Sequence, residues 1–458
     1  MVTTQLFRME FNEAAPQINT EKATTAKEFV EEVYSKGKNT QAFIHVEVGG
    51  SHAKRFDHPN PQEKSTILES FDRPGERLIV VNPCHGNEPY ILGTDVALSI
   101  NQLLEINGGK KAKIVVPLVY PGRQEQILRE TFSGRQDEIL VDRQLGELYE
   151  QVLFRNGRFD QHLADLGANQ ARVQDHVLDH LARNFEAKSL ATGETTDLNG
   201  RDVVLDINTN SRFIVHKDSY FVFPVLLSEL LEETGKSGLP FDHQLLSAAQ
   251  KAAQDRESQY LAKFIPQVHT FSYKDDYPQE GKEFTPPMKH PATNPPQADT
   301  QGIYVMASGT GSEVENVVKS AQDLGLDVYR SPFIQMDYGR AAIPDVIYHP
   351  NIVGVFGRMG WGTGWISQQA EKPFIVVPYN FPDDPEIYFN LETLQQKKLG
   401  MVYEGQRDIV RKAVELTGDI KKLNEAIFKQ YGTKDGIDYV ARKIVDDLHT
   451  RRAAIKVP

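Results

Sequence analysis

The sequence predicts an α/β protein built of two doubly wound parallel-sheet domains. Three observations carry this: a strand–turn–helix–strand succession from Leu78 to Val119, a second from Val353 to Val377, and a proline-rich stretch between them, Asp275 to Thr300. Parallel neighbours need a helical crossover, so this alternation is the signature of a parallel sheet. The 458 residues allow two or three domains at roughly 100–200 residues each. The boundaries read 1–280 for a first domain with a leading segment and a helical insertion, 281–300 for a linker, and 301–458 for a second domain, its last helix free to pack back on the first.

Bulk composition narrows the function classes. A net charge of −12 disfavours a nucleic-acid backbone or an anionic membrane as a general partner. The chain has one cysteine, Cys84, so no intrachain disulfide forms, which fits a reducing compartment. The N-terminus lacks the basic-then-apolar pattern of a signal peptide. The most apolar long window, Tyr220 to Leu231, is about half the length that spans a bilayer and contains Glu229. A soluble, cytoplasmic protein is expected, with peripheral membrane contact left open.

In order along the chain, Ala23 to Tyr34 reads as a helix and Ala42 to Val48 as a strand, followed by a polar, proline-containing loop. Leu78 to Val81 is a buried strand, Tyr90 to Ile106 an amphipathic helix ended by Gly108 and Gly109, and Lys113 to Val119 a second strand. Residues 124–275 are richer in helix: Leu145 to Leu153, Val173 to Phe185, Phe221 to Glu233 and His243 to Phe264, with strands at Asp202 to Ile207 and Arg212 to Val215. His176 and His180 stand one helical turn apart. That spacing can hold a metal, but the glutamate of a zinc-protease motif is absent, and a solvated helix face is expected. Proline density from Pro278 to Pro296 forbids regular helix and marks the linker. Beyond it, Gly302 to Ala307 is a strand, Glu313 to Leu324 a helix, Asp327 to Arg330 a strand, and Val346 to Tyr348 a short strand. Helices at Pro385 to Leu399, Arg407 to Leu416 and Ile420 to Ala454, with a strand at Met401 to Tyr403, complete the second domain.

Chemistry concentrates in the glycine turn after the strand Val353 to Phe356. Gly357, Gly360, Gly362 and Gly364 surround Arg358 and Thr363, and both tryptophans of the chain, Trp361 and Trp365, lie here. A strand–glycine turn–helix unit points helix N-terminal N–H groups at whatever binds, which suits a phosphorylated ligand. Arg358 offers a bidentate guanidinium for phosphate oxygens, or a salt bridge to a neighbouring carboxylate. The turn Ser308 to Ser312, with Gly309 and Thr310, enters a helix in the same way but lacks the lysine of a P-loop. Sheets of this kind bind ligands at the carboxyl ends of their strands, and two such domains facing one another would form a cleft.

The string Arg358-Met-Gly-Trp-Gly-Thr363, followed by Glu371-Lys-Pro373, the strand Phe374 to Val377, Pro378, Glu386 and Asn390, resembles the donor domain of GT-B glycosyltransferases. The similarity is to the nucleotide-sugar-dependent natural-product and MurG-like groups. It covers about residues 300–405, and 77–120 more weakly. Gly360, Trp361 and Thr363 match in place. Arg358 stands where the natural-product group has histidine, Met359 replaces its first glycine, and Glu371 stands where the families have glycine. The resemblance implies two Rossmann-like domains facing a cleft. It also implies transfer of a sugar from a nucleotide-diphosphate sugar, UDP-sugar by family base rate, to a hydroxyl acceptor, with no cofactor and no metal. Gly309, Thr310, Arg358, Gly360, Trp361, Gly362, Thr363 and Gly364 would hold the nucleotide diphosphate, and Glu386 with Asn390 the sugar, Asp383 and Asp384 competing for the acidic role in a loop longer than the family's. Asp384 suits the N-cap before Pro385. For the base that takes the acceptor proton, the candidate is His85, or else Glu88 or Asp95. Glu386 and Glu392 are six apart, unlike the spacing of eight in the retaining group, so inversion is expected. A UDP-sugar 2-epimerase and a catalytically silent partner subunit on the same fold remain as alternatives.

Overall fold

The computed structural model describes residues 77–455 apart from 83–87, 108, 153–158, 211, 270–281, 307–310, 333 and 335–337. The expected elements at Ala23 to Tyr34 and Ala42 to Val48 lie outside the described residues. The chain divides into two compact units. One holds the described residues up to Thr285 together with Asn380–Glu386 and the chain from Gly436 on; the other holds Pro286–Tyr379 and Ile387–Asp435.

The first unit is built on a nine-stranded sheet ordered β5-β4-β3-β2-β1-β6-β7-β8-β9. Its strands are β1 (Leu78–Asn82), β2 (Lys113–Pro117), β3 (Ile139–Asp142), β4 (Asn184–Ser189), β5 (Thr195–Asn199), β6 (Val203–Asn208), β7 (Ser219–Phe221), β8 (Ala262–Pro266) and β9 (Lys282–Thr285). All neighbours pair in parallel except β3–β4 and β4–β5. The helices are α1 (Glu88–Ile106), α2 (Pro121–Thr131), α3 (Arg143–Glu150), α4 (Phe159–Ala182), α5 (Leu227–Lys236) and α6 (His243–Glu257). β1 is buried at every position, as a central parallel strand covered on both faces requires.

Several elements differ from the sequence expectation. Arg212 to Val215 is irregular, and the strand is the buried Ser219–Phe221, after which α5 starts only at Leu227. The apolar run ending at Phe264 is not one helix: α6 stops at Glu257, and β8 follows. Lys282–Thr285, expected as linker, is the edge strand β9, paired in parallel to β8. His180 is not on a solvated face. Its Nε2 lies 2.7 Å from Asp142 Oδ2, while Asp142 Oδ1 accepts from Leu145 N and caps α3. His176 is exposed.

The second unit has a six-stranded, all-parallel sheet ordered β12-β11-β10-β13-β14-β15. Its elements are β10 (Gly302–Met306), α7 (Gly311–Gln322), β11 (Asp327–Arg330), β12 (Arg340–Ala341), β13 (Ile352–Gly357), α8 (Trp361–Gln369), β14 (Phe374–Val376), α9 (Pro385–Gln396), which starts in the first unit, β15 (Gly400–Val402), α10 (Ile409–Val414) and α11 (Thr417–Tyr431). Numbered within the unit, the order is 3-2-1-4-5-6, the doubly wound arrangement of nucleotide-binding sheets. Pro344–Tyr348 is a 3-10 helix where a strand was expected; Pro344 presets its first turn. One face of the sheet buries Ile303, Val305, Val328, Val353, Phe356 and Ile375 against Val317 and Val318 of α7 and Ile409, Val410 and Val414 of α10. The last helix, α12 (Gly436–Ile455), belongs to the first unit, where it packs on α1 and β9. Among the described residues, no helix is long and apolar enough to cross a membrane.

The first sheet changes direction between β1 and β6, and there a buried polar network replaces apolar packing. Asn82 Nδ2 donates to Asp206 Oδ1 at 3.2 Å, Ser219 Oγ to Asp206 Oδ2 at 2.8 Å, and Val215 N to the same oxygen at 3.2 Å. Tyr149 Oη donates to Asn82 Oδ1. Burial outweighs these hydrogen bonds and pushes the Asp206 carboxyl up to about 7. The folded state therefore keeps a proton that the unfolded chain releases above about pH 4. Stability should fall as pH rises from about 4 to about 7, by an order of 4 kcal/mol, and level off above. Urea unfolding of the parent and of Asp206→Asn across this range should show the slope in the parent and its loss in the variant.

Candidate functional site

The site is assembled at the switch point of the second sheet, where β10 and β13 lie side by side and their following helices diverge. Met306 ends β10 opposite Gly357, which ends β13. A Cβ on Gly357 would stand 2.7 Å from the Met306 carbonyl oxygen, so this position accepts only glycine without moving backbone. The chain then turns through Arg358 and Met359, with Gly360 N donating to the Arg358 carbonyl at 2.8 Å.

Gly360 is the N-cap of α8. Its φ of −103° and ψ of 143° are open to any residue, and its carbonyl accepts from Gly364 N at 3.0 Å. Gly360 offers no side-chain cap, and the first turn of the helix carries no acidic residue. The N–H groups of Gly362 and Thr363 lie in the first turn, where no carbonyl of the helix can accept them. Together with the helix dipole they make a site suited to an anion. Among the described residues, a Cβ at Gly360 would meet no atom within 4 Å, so it has room beside the helix start.

Around this opening the turn is held rigidly. Met359 is buried, and Asn390 Nδ2, from α9, donates to its carbonyl at 3.2 Å. Trp361 and Trp365 stack with centroids 6.1 Å apart at 22°. Trp365 is fully buried, and its Nε1 finds no acceptor among the described residues. A buried donor of this kind is uncommon in folded proteins. Arg358 is half-buried directly after β13.

The structure thus gathers Arg358, Gly360, Trp361, Gly362, Thr363 and Gly364 in one turn, and assigns two residues contacts other than those expected. The Thr363 hydroxyl faces Met306 Sδ at 3.0 Å rather than standing open for a ligand. Asn390 braces the Met359 carbonyl from a fully buried position. Asp384 Oδ1 accepts from Glu386 N at 2.9 Å, the capping bond expected before Pro385, and Glu386 itself is half-buried. Gly309 and Thr310 lie outside the described residues, as does His85. Glu88 opens α1 and Asp95 follows two turns later, both half-buried. Met306 and Trp365 are contributors that motif reading did not select. Met306 carries no chemistry that a motif would register, and the buried indole of Trp365 becomes conspicuous only once its surroundings are known.

No family model and no curated protein matches the chain. Among solved structures, it superposes on Arabidopsis thaliana UGT89C1 complexed with UDP-L-rhamnose with a TM-score of 0.50 at 11% identity, covering 82% of this chain and 99% of that one. The same protein complexed with quercetin gives 0.50 at 11%, covering 82% and 100%. The chain has a GT-B glycosyltransferase-like fold. A GT-B-type assignment agrees with the two mixed and parallel sheets described above. CalG4, the calicheamicin glycosyltransferase, aligns over 83% of this chain and 100% of its own at 14% identity, with a TM-score of 0.48.

The two ends of the glycine turn separate folding from access. Gly357→Ala should cost stability on the order of 2 kcal/mol by forcing β13 away from β10. Gly360→Ala should cost under about 1 kcal/mol, since its backbone is unstrained and its surroundings open. Chemical denaturation of the two variants checks the difference.

Proposed function

We propose that the protein is a glycosyltransferase that moves a sugar from a nucleotide-diphosphate sugar, by default a UDP-sugar, to a hydroxyl acceptor with inversion and without a metal. The observation that carries this reading is the N-terminus of α8, with a glycine N-cap and no acidic residue in its first turn, at the switch point of a 3-2-1-4-5-6 sheet. Cleavage of the sugar–phosphate bond leaves negative charge on the departing diphosphate. Fixed N–H donors at a helix start stabilise such charge without reorganising as it develops. In this reading the N–H groups of Gly362 and Thr363 take diphosphate oxygens, and the Arg358 guanidinium supplies the cation that replaces a metal.

The remaining roles rest on resemblance. Glu386 would accept hydrogen bonds from sugar hydroxyls, with Asn390 bracing the turn. Gly309 and Thr310 would complete the diphosphate contacts. His85 would take the acceptor proton, with Glu88 or Asp95 in reserve. UGT89C1, whose fold the chain shares, binds UDP-L-rhamnose and quercetin in its crystals, in keeping with UDP as the first nucleotide to test. The single cysteine and the negative charge fit a cytoplasmic setting.

A thermal-shift screen of nucleotides, followed by turnover of a labelled UDP-sugar, tests the proposal. UDP at about 100 times its dissociation constant should add about 2.7 kcal/mol to native stability. Arg358→Ala should lower transfer by about 10²–10³-fold. Turnover without any acceptor would point to the epimerase reading, and tight binding without turnover to a silent partner subunit. The absence of a shift with every nucleotide would contradict the proposal.

A further inference from the structure

The far end of α8 does something the glycine turn does not require. Among the described residues, the chain crosses between the two units four times; the first crossing, between Thr285 and Pro286, and the last, between Asp435 and Gly436, bound the second unit. Within the second unit, the segments adjoining the first and last of these crossings are fastened to Gln369, the last residue of α8. Its Nε2 donates to the Lys289 carbonyl at 2.9 Å and to the Lys434 carbonyl at 2.8 Å, and its Oε1 accepts from Tyr348 Oη at 2.6 Å. Gln369 is 3% exposed, so both amide protons and the carbonyl are satisfied away from water.

Two further contacts tighten the same junction. His290 Nδ1 lies 2.7 Å from Asp435 Oδ2, joining one segment to the other. Glu371, just beyond the helix, holds a left-handed φ of 58° and is buried, with Oε1 3.9 Å from Lys434 Nζ. A non-glycine residue in that conformation costs about 1 kcal/mol or more, so the surroundings over-determine it. Burial pushes the Glu371 carboxyl up, against the pull of Lys434.

We propose that α8 is a coupling rod, with a diphosphate ligand at its N-terminus stiffening, through Gln369, the first and last of the segments that lead into the other unit. All nine residues of the helix are buried, so it moves as one body about 13 Å long. An opening that frees the Lys289 and Lys434 carbonyls must shift the end of α8. The same shift displaces the N–H groups of Gly362 and Thr363. A ligand held there opposes that opening by mass action. The inference rests on the donor-site reading above.

Amide hydrogen exchange at Lys289 and Asp435 tests it, with UDP as the probe. The Lys289 N–H donates to the Pro287 carbonyl and that of Asp435 to Thr433 Oγ1, so both report local opening. In the parent, UDP at about 100 times its dissociation constant should slow both amides by up to about 100-fold. In Gln369→Met, of similar volume, both should exchange at least about tenfold faster without ligand, and bound UDP should change them by less than about threefold. Tyr348→Phe, which keeps the amide but removes its partner, should lie between, and serves if the methionine variant does not fold. Exchange in the variants equal to the parent overturns the pin. Exchange in a UDP-bound parent unchanged from the free state overturns the coupling. If the parent binds no UDP, the donor-site reading fails, and the ligand-free comparison of parent and variants alone decides the role of Gln369.

Discussion

The contact on which the rest depends is the approach of Gly357 to the carbonyl of Met306. It lets β13 run in register beside β10 to its last residue, although a side chain at Gly357 would stand 2.7 Å from that oxygen. With the two strands held at one level, the turn leaves the sheet at its carboxyl edge, and α8 starts at Trp361 after its N-cap Gly360. A bulkier residue would end the pairing earlier and tilt the helix start. The proposed anion site thus depends on strand register rather than on any single polar side chain.

α8 then has two ends with different work. Its N-terminus has a glycine N-cap and no acidic residue in the first turn, so first-turn N–H groups are unsatisfied by the helix itself and cost stability unless other acceptors reach them. Its C-terminus is fastened through Gln369 to the carbonyls of Lys289 and Lys434. Interior packing offsets the unsatisfied end: Trp365 is fully buried, and a buried aromatic of this size is worth about 3–5 kcal/mol against truncation. A helix fixed at one end and open at the other is pre-organised for a ligand, because little ordering is left for binding to accomplish.

The alternation of strand and helix was legible in the sequence wherever apolar runs were bounded by glycine or proline, as at Leu78–Asn82, Gly302–Met306 and Ile352–Gly357. It failed where a strand was short or adjoined apolar helix. Ser219–Phe221 has three residues, all buried, with no alternation to register. Ala262–Pro266 follows α6 so closely that one apolar pattern runs through both. The glycine turn was legible because its chemistry is local. The Asn82–Asp206 bond joins residues 124 apart in sequence, and the two Gln369 bonds reach residues 80 and 65 away. Side chains with such distant partners look like ordinary polar residues until the fold brings them together. Asn390 is the intermediate case. Its place was marked by resemblance, yet its amide is spent on the Met359 carbonyl.

The central claim, that the N-terminus of α8 receives a diphosphate, is tested most directly by the backbone amide resonances of Gly362 and Thr363 during titration with UDP and with uridine. The account predicts that UDP shifts both amides saturably, with the downfield displacement of N–H groups donating to an anion, and that uridine leaves them nearly unmoved. Equal responses to UDP and uridine, or UDP binding that leaves both amides in place, would contradict it.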